Sequence, residues 1–193
     1  MGNAPASHCT TGSLGLVGVV AYALTGCVGA VGSEGSSASE LDPECAAEEA
    51  SVSVGGGDTT YEPLSDGDPA MIVHGPQGGW HLLASARVRN TLNRVTITYT
   101  AKVLPEETPI SWNQYGVQLQ EQGSCTGDYP GMYAYLDVSD LAEGEADTPP
   151  ELLEGKEIQL RLQVEDEDGR AAEASVTVIG ALDPADAVAD TGG

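Results

Sequence analysis

The sequence predicts an all-β protein built around an antiparallel β-sandwich of about seven strands. Four long runs between residues 80 and 178 alternate apolar and polar residues with a period of two, which is typical of strands with one buried and one solvated face. Residues that favour turns separate these runs at a spacing typical of sandwiches. No long stretch has the period of an amphipathic helix. These three observations together indicate the fold class.

The four alternating runs justify the main strands in chain order. Their apolar members are Trp80, Leu82, Ala84, Ala86 and Val88, then Val95, Ile97, Tyr99, Ala101 and Val103, then Ile158, Leu160, Leu162 and Val164, then Ala172, Ala174, Val176 and Val178. Shorter strands are predicted at 71–74, 115–120 and 132–138. A turn over 90–93 joins the first two runs, and the Asp-Gly pair at Asp168 and Gly169 predicts a hairpin between the last two.

Composition divides the remainder of the chain. Residues 27–57 are rich in Gly, Ser, Ala and Glu, and their hydrophobicity is too low to offset the entropy of ordering. We therefore expect a flexible acidic tether, which would span about 30 Å as a coil. Residues 58–182 are the predicted β-sandwich domain, and residues 183–193 are predicted to be a disordered acidic tail.

The charge of the chain is strongly negative. It has 30 acidic and 7 basic residues, a formal net charge of −23. Such a surface repels phosphate groups, so the sequence excludes nucleic acid as a partner. Two interpretations of the charge stay open: solubility, including solubility in a saline habitat, and the binding of cations.

An apolar segment of residues 14–24 ends in the sequence Leu24-Thr25-Gly26-Cys27. This segment resembles the signal peptide and lipobox of bacterial lipoproteins. The resemblance implies that residues 1–26 are a signal peptide, cleaved between Gly26 and Cys27, and that Cys27 carries the lipid, including palmitate. Two or three acyl chains suffice for stable anchoring, because each buried CH₂ contributes about 0.8 kcal/mol.

The lipoprotein resemblance also implies a location. The residue after the lipidated cysteine is Val28 rather than Asp, which in well-studied lipoproteins favours the outer membrane. We therefore expect a cell-envelope protein, facing the periplasm or the cell surface. The alternative is an uncleaved membrane anchor, because the apolar run continues to Gly32 and then approaches the length of a membrane span.

If Cys27 carries lipid, Cys45 and Cys125 remain as a pair in the mature chain. In an oxidising compartment the default prediction is a disulfide between them. Closing so long a loop would stabilise the fold by roughly 4–5 kcal/mol. Two free thiols are the alternative.

The densest motif is the segment from His74 to His81, which contains Gly-Pro-Gln-Gly-Gly and Trp. It resembles bacterial lipoproteins with the same Gly-Pro-Gln-Gly-Gly core, a resemblance that implies no activity. Glycines here permit positive φ in a turn between strands. His74 and His81 could meet across that turn and bind copper or zinc. Asp166 and Asp168, in the final hairpin loop, could instead bind calcium.

Large aromatic side chains are the other candidates for binding. They are Trp80, Trp112, Tyr129, Tyr133 and Tyr135, in a chain with no Phe. Their predicted main use is core packing, and the alternative is exposure, where they would stack on sugars or anchor a protein partner.

The sequence assembles no catalytic set, so we expect a non-enzymatic protein without a cofactor. The final hairpin resembles that of immunoglobulin and fibronectin type III domains, which implies an immunoglobulin-like sandwich and no functional residues. The leading hypothesis is an envelope lipoprotein that presents the β-sandwich for adhesion or for recognition of an envelope protein or glycan. The alternative is a protein that binds Cu, Zn or Ca through His74, His81 and loop carboxylates.

Overall fold

Ten strands and two short helices follow one another in the computed structural model, which describes residues 40–75, 78–141 and 149–183. They are α1 (Pro43–Ala46), β1 (Ser51–Gly56), β2 (Glu62–Pro63), β3 (Pro69–His74), β4 (Trp80–Arg89), β5 (Arg94–Val103), β6 (Thr108–Gln118), β7 (Gln120–Gly123), β8 (Thr126–Tyr135), α2 (Pro149–Leu153), β9 (Glu157–Asp166) and β10 (Ala171–Leu182). Across these three ranges, neither helix has the length and apolar character needed to cross a membrane. The predicted all-β class is confirmed.

The central strand of one layer is β4. It pairs antiparallel with β8 along one edge, and its other edge is shared by β3 and β1. The second layer runs in the order β10, β9, β5, β6, with antiparallel pairing throughout. β3 connects the layers, because Ile72 to His74 pair with β4 while Pro69 to Ile72 pair with β10. The pairing of β3 with β10 is parallel.

The alternating apolar residues form one core between the layers, as the sequence predicts. Members of all four runs are buried, among them Leu82, Ala84, Ala86, Val88, Ile97, Tyr99, Ala101, Leu160, Leu162 and Val178. Trp80, Ala172 and Ala174 pack against this core while keeping part of their surface in solvent. Burying a Leu, Ile or Val side chain contributes about 1.5–3 kcal/mol, so these runs supply most of the driving force for the fold.

Some strands were not predicted, or start earlier than predicted. β7 is exposed at all four residues and so lacks an alternating pattern. β6 begins at Thr108 rather than at 115, and β8 begins at Thr126 rather than at 132. Pro109 in β6 and Pro130 in β8 obscure these strands in the sequence, since proline cannot donate a ladder hydrogen bond.

β1 lies within residues 51–56, inside the segment 27–57 that was predicted to be a tether. Its Val52 and Val54 are buried, and the strand pairs with β4 from Ser51 to Gly55. The short strand β2 pairs with its end. Low overall hydrophobicity hid this strand, because only two of its residues are large and apolar. The C-terminal end of the predicted tether is therefore part of the sheet.

The predicted disulfide between Cys45 and Cys125 is confirmed. The two sulfur atoms are 2.05 Å apart and the residues are 80 positions apart in the chain. The bond joins α1 to the turn between β7 and β8, and Cys45 is fully buried there. The predicted signal peptide (1–26), Cys27 and most of the predicted tail (184–193) lie outside the described residues.

Candidate functional site: an aromatic face on the outer surface

Three large hydrophobic side chains are exposed in the described part of the chain. They are Trp112 (66% exposed), Tyr133 (44%) and Tyr135 (57%). All three come from β6 and β8. We call these residues, together with His81 of β4, the aromatic face.

The alternation of β8 places its two tyrosines outside. Met132, Ala134 and Leu136 are buried, whereas Tyr133 and Tyr135 point outward. Core packing is therefore the wrong interpretation for these tyrosines and for Trp112. Among the aromatics named from the sequence, it holds in part for Trp80 and Tyr129, which pack against the core.

Side chains of β6 hold the backbone of β8 in place. The Ser111 hydroxyl donates to the carbonyl of Tyr135 at 2.8 Å, and the Tyr115 hydroxyl donates to the carbonyl of Tyr133 at 2.9 Å. The backbone N–H of Asp137 donates to the Ile110 carbonyl at 2.9 Å. The two strands are thus fixed side by side without a regular ladder, so the outward residues of both belong to one surface.

His81 lies between the two tyrosines. Its ring centroid is 6.0 Å from that of Tyr133 and 5.8 Å from that of Tyr135, with interplanar angles of 89° and 74°. These edge-to-face contacts are a favoured arrangement of aromatic rings. The contacts hold the tyrosine rings in defined positions while much of their surface remains open to solvent.

Glycines of the His74–His81 motif make room for these rings. A Cβ on Gly75 would lie 2.5 Å from His81 Nε2, and a Cβ on Gly79 would lie 2.8 Å from Tyr135 Cε2. Gly78 and Gly79 have φ of +84° and +83°, as the turn prediction requires. The motif therefore serves the aromatic face: its glycines let the loop backbone approach the His81 and Tyr135 rings.

The structure does not bring His74 and His81 together as a metal-binding pair. His74 is the cross-strand partner of Trp80, and His81 is the partner of Val73. Because successive residues of a strand point to opposite faces, the two histidines lie on opposite sides of the sheet. The His74 ring packs edge-to-face on Trp80, with centroids 5.1 Å apart.

Asp166 organises backbone rather than facing an open loop. It is 6% exposed, and its carboxylate accepts hydrogen bonds from the N–H groups of Leu92, Asp168 and Arg170 at 2.9, 3.0 and 2.9 Å. Asp168 enters this arrangement through its backbone. Within the described residues, no group of three or more His, Cys, Asp or Glu side chains is arranged to hold a metal ion.

The opposite end of the same outer surface is covered by the chain itself. Arg87 makes two hydrogen bonds of 2.8 Å to Asp128, its cross-strand partner, and lies 4.3 Å from the centroid of the Tyr61 ring. Residues near Gly57 cross the sheet there, where the N–H of Gly131 donates to the Gly57 carbonyl. The hydrogen bond from Asp128 is the main cause that raises the pKa of Arg87.

A carboxylate extends the aromatic face. Asp137 follows Tyr135 by two residues and is exposed, so it continues the outward row of β8. The hydroxyl and the backbone N–H of Ser139 donate to its Oδ1 at 2.7 and 3.1 Å, and these bonds lower the pKa of Asp137. The predicted strand 132–138 already placed Asp137 on the solvent face, but no chemical pattern marked it as part of a site.

No model of a known protein family matches this chain, and no curated protein matches it either. Among solved structures, the CooA pilin subunit from enterotoxigenic Escherichia coli aligns over 68% of this chain and 99% of its own, with 12% identity and a TM-score of 0.31. A likeness at this level says nothing about what the chain binds. The lipoprotein and immunoglobulin-like resemblances stay predictions.

Proposed function

We propose that this protein is a non-enzymatic recognition protein of the bacterial cell envelope, held by lipid on Cys27, which binds its partner through the aromatic face. The observation that carries the proposal is the concentration of exposed Trp112, Tyr133 and Tyr135 on two adjoining strands. Trp and Tyr are enriched among the residues that dominate binding energy at protein interfaces.

The rigidity of the face supports a binding role. Ser111 and Tyr115 fix the β8 backbone, and His81 contacts both exposed tyrosine rings. A side chain that is already ordered loses less conformational entropy when a partner binds. Described polar groups near the face are few, which favours binding by ring contact over catalysis.

The disulfide supports a location outside the cytoplasm. Such bonds persist in oxidising compartments and are rare where thiols are kept reduced. Together with the lipobox at residues 24–27, it favours export followed by anchoring. The remaining tether, from Cys27 to the start of α1, separates the lipid from the fold.

Anchoring is tested by a Cys27→Ala variant expressed in a native-like host and followed by membrane fractionation. We expect the variant to leave the membrane fraction, because the acylated thiol is gone. Cys9→Ala is the matched control, since it removes a cysteine from the predicted signal peptide without touching the lipobox. Retention of the Cys27→Ala variant in membranes would indicate the uncleaved anchor instead.

Recognition is tested with purified protein and isolated envelopes from cells that lack it. A Tyr133→Ser, Tyr135→Ser double variant should lose most of its binding to the envelopes, because it removes both exposed rings. A Thr96→Ala, Thr98→Ala double variant on β5 is the control and should bind like the wild type. Equal binding by the wild type and the tyrosine variant would contradict the proposed function.

A further inference from the structure

We infer that the aromatic face and Asp137 form a binding site for a basic segment of a partner polypeptide, in which an Arg or Lys side chain lies against Tyr135 and pairs with the Asp137 carboxylate. The inference rests on the proposed function and names the chemistry of the partner.

The spacing of the outward row suits this ligand. Tyr133, Tyr135 and Asp137 occupy alternate positions, so successive members lie about 7 Å apart along the strand. A guanidinium or ammonium group within about 6 Å of a tyrosine ring is attracted by the ring's electrons. The neighbouring carboxylate then provides a charge-assisted hydrogen bond to the same cation.

The protein contains a filled version of this arrangement on the same surface. At the covered end, the Arg87 guanidinium lies over the Tyr61 ring and forms two hydrogen bonds with Asp128. At the open end, Tyr135 and Asp137 supply the ring and the carboxylate. Among the described residues, no Lys or Arg forms an ion pair with Asp137. A cation from outside would complete the set.

The charge of the whole molecule favours the same partner. At a net charge of −23, the protein attracts cations and repels anionic glycans and lipids. A neutral sugar would gain the ring contact but nothing from this field. The hydrogen bonds from Ser139, which lower the pKa of Asp137, keep its carboxylate charged below the usual range of an aspartate. A basic polypeptide gains from all three features.

The test uses the full chain and a labelled peptide of four Arg-Gly repeats, with binding followed by fluorescence anisotropy at low and moderate salt. A Tyr133→Phe, Tyr135→Phe variant keeps the rings and should bind within about twofold of the wild type. A Tyr133→Leu, Tyr135→Leu variant removes the rings and should bind about fivefold or more weakly. Asp137→Asn should also weaken binding about fivefold.

Glu165→Gln is the matched control, because it removes one exposed negative charge from another part of the surface. We expect it to change the dissociation constant by less than about twofold. Melting curves of each variant check that the fold is intact, and Asp137→Asn keeps the test valid if the leucine variant does not fold.

Two results would overturn the inference. If the leucine and Asp137→Asn variants bind the peptide like the wild type, the peptide responds only to net charge. If envelopes bind in a ring-dependent way even after protease treatment while the peptide does not bind, the partner is a glycan; the proposed function then stands and this inference fails. If envelope binding does not depend on the rings at all, the proposed function fails by its own test.

Discussion

At the scale of single residues, Asp166 has the greatest number of structural contacts among the predicted site residues. Its one carboxylate receives N–H groups from the β4–β5 turn and from its own hairpin. We expect Asp166→Asn to lower the free energy of unfolding by about 1–3 kcal/mol, because the amide NH₂ would face a backbone donor. Urea denaturation measures this change.

Asp168→Asn is the control for that substitution, since only the backbone of Asp168 takes part in the printed contacts of the loop. It should stay within about 0.5 kcal/mol of the wild type. A larger loss for Asp168→Asn than for Asp166→Asn would point to a carboxylate site at Asp168 and revive the calcium hypothesis.

Tyr115 gives a pH-dependent prediction. Burial, with a smaller contribution from Tyr129, raises the pKa of Tyr115 to about 12 in the folded protein, against 10.0 as the ordinary value. The unfolded chain therefore ionises first as pH rises. The stabilising contribution is complete below pH 10 and is lost between pH 10 and about 12.

A Tyr115→Phe variant should flatten the fall in the free energy of unfolding between pH 10 and pH 12, because it has no proton to lose. Denaturation series at several alkaline pH values measure the slope. Tyr133→Phe, at an exposed position, is the comparison and should keep the wild-type slope. An unchanged slope in Tyr115→Phe would show that other groups govern alkaline unfolding.

At the scale of elements, the turn between β3 and β4 links backbone conformation to the site. Gly78 and Gly79 share nearly the same positive φ, but only Gly79 approaches the Tyr135 ring. Gly78→Ala and Gly79→Ala should each cost about 1 kcal/mol or more through backbone strain. Only Gly79→Ala should also weaken partner binding, because its Cβ would displace the ring.

Melting curves and envelope-binding assays of the two glycine variants separate these effects. Equal loss of binding in both would mean that the turn conformation matters rather than the ring position. Equal, unchanged binding in both would remove Tyr135 from the proposed interface.

At the scale of the whole molecule, the disulfide should be a major source of stability. It closes a loop of 80 residues, so loop-closure entropy alone gives about 4.5 kcal/mol. A Cys45→Ser, Cys125→Ser double variant should lose about this much free energy of unfolding, measured in urea. Reductant should destabilise the wild type and leave the double variant unchanged; a fall in both would indicate another cause.

The extent of prediction from sequence also differs with scale. The long strands followed from alternation because residues such as Leu82 and Leu160 are buried on one face only. β7 and β1 were not predicted, since exposed pairing and a disulfide order segments whose own composition is polar or small. The separation of His74 from His81 depends on strand register, which the spacing of two histidines does not reveal.

The candidate site was visible only in part. The sequence named Trp112, Tyr133 and Tyr135 but not their shared surface, because β6 and β8 meet through side-chain hydrogen bonds rather than through adjacent sequence. The roles of Gly75 and Gly79 likewise depend on rings that come from distant strands. A pattern of residue types cannot show such contacts.

The disulfide also decides how the protein would carry mechanical load. Tension applied at the N-terminal segment reaches Cys45 and crosses the S–S bond to Cys125, at the beginning of β8. From there it runs along β8 to Tyr133 and Tyr135. Strands β1 to β7 lie inside the covalent loop and are bypassed, so a pull between anchor and partner loads one strand and leaves the remaining sheet unstretched.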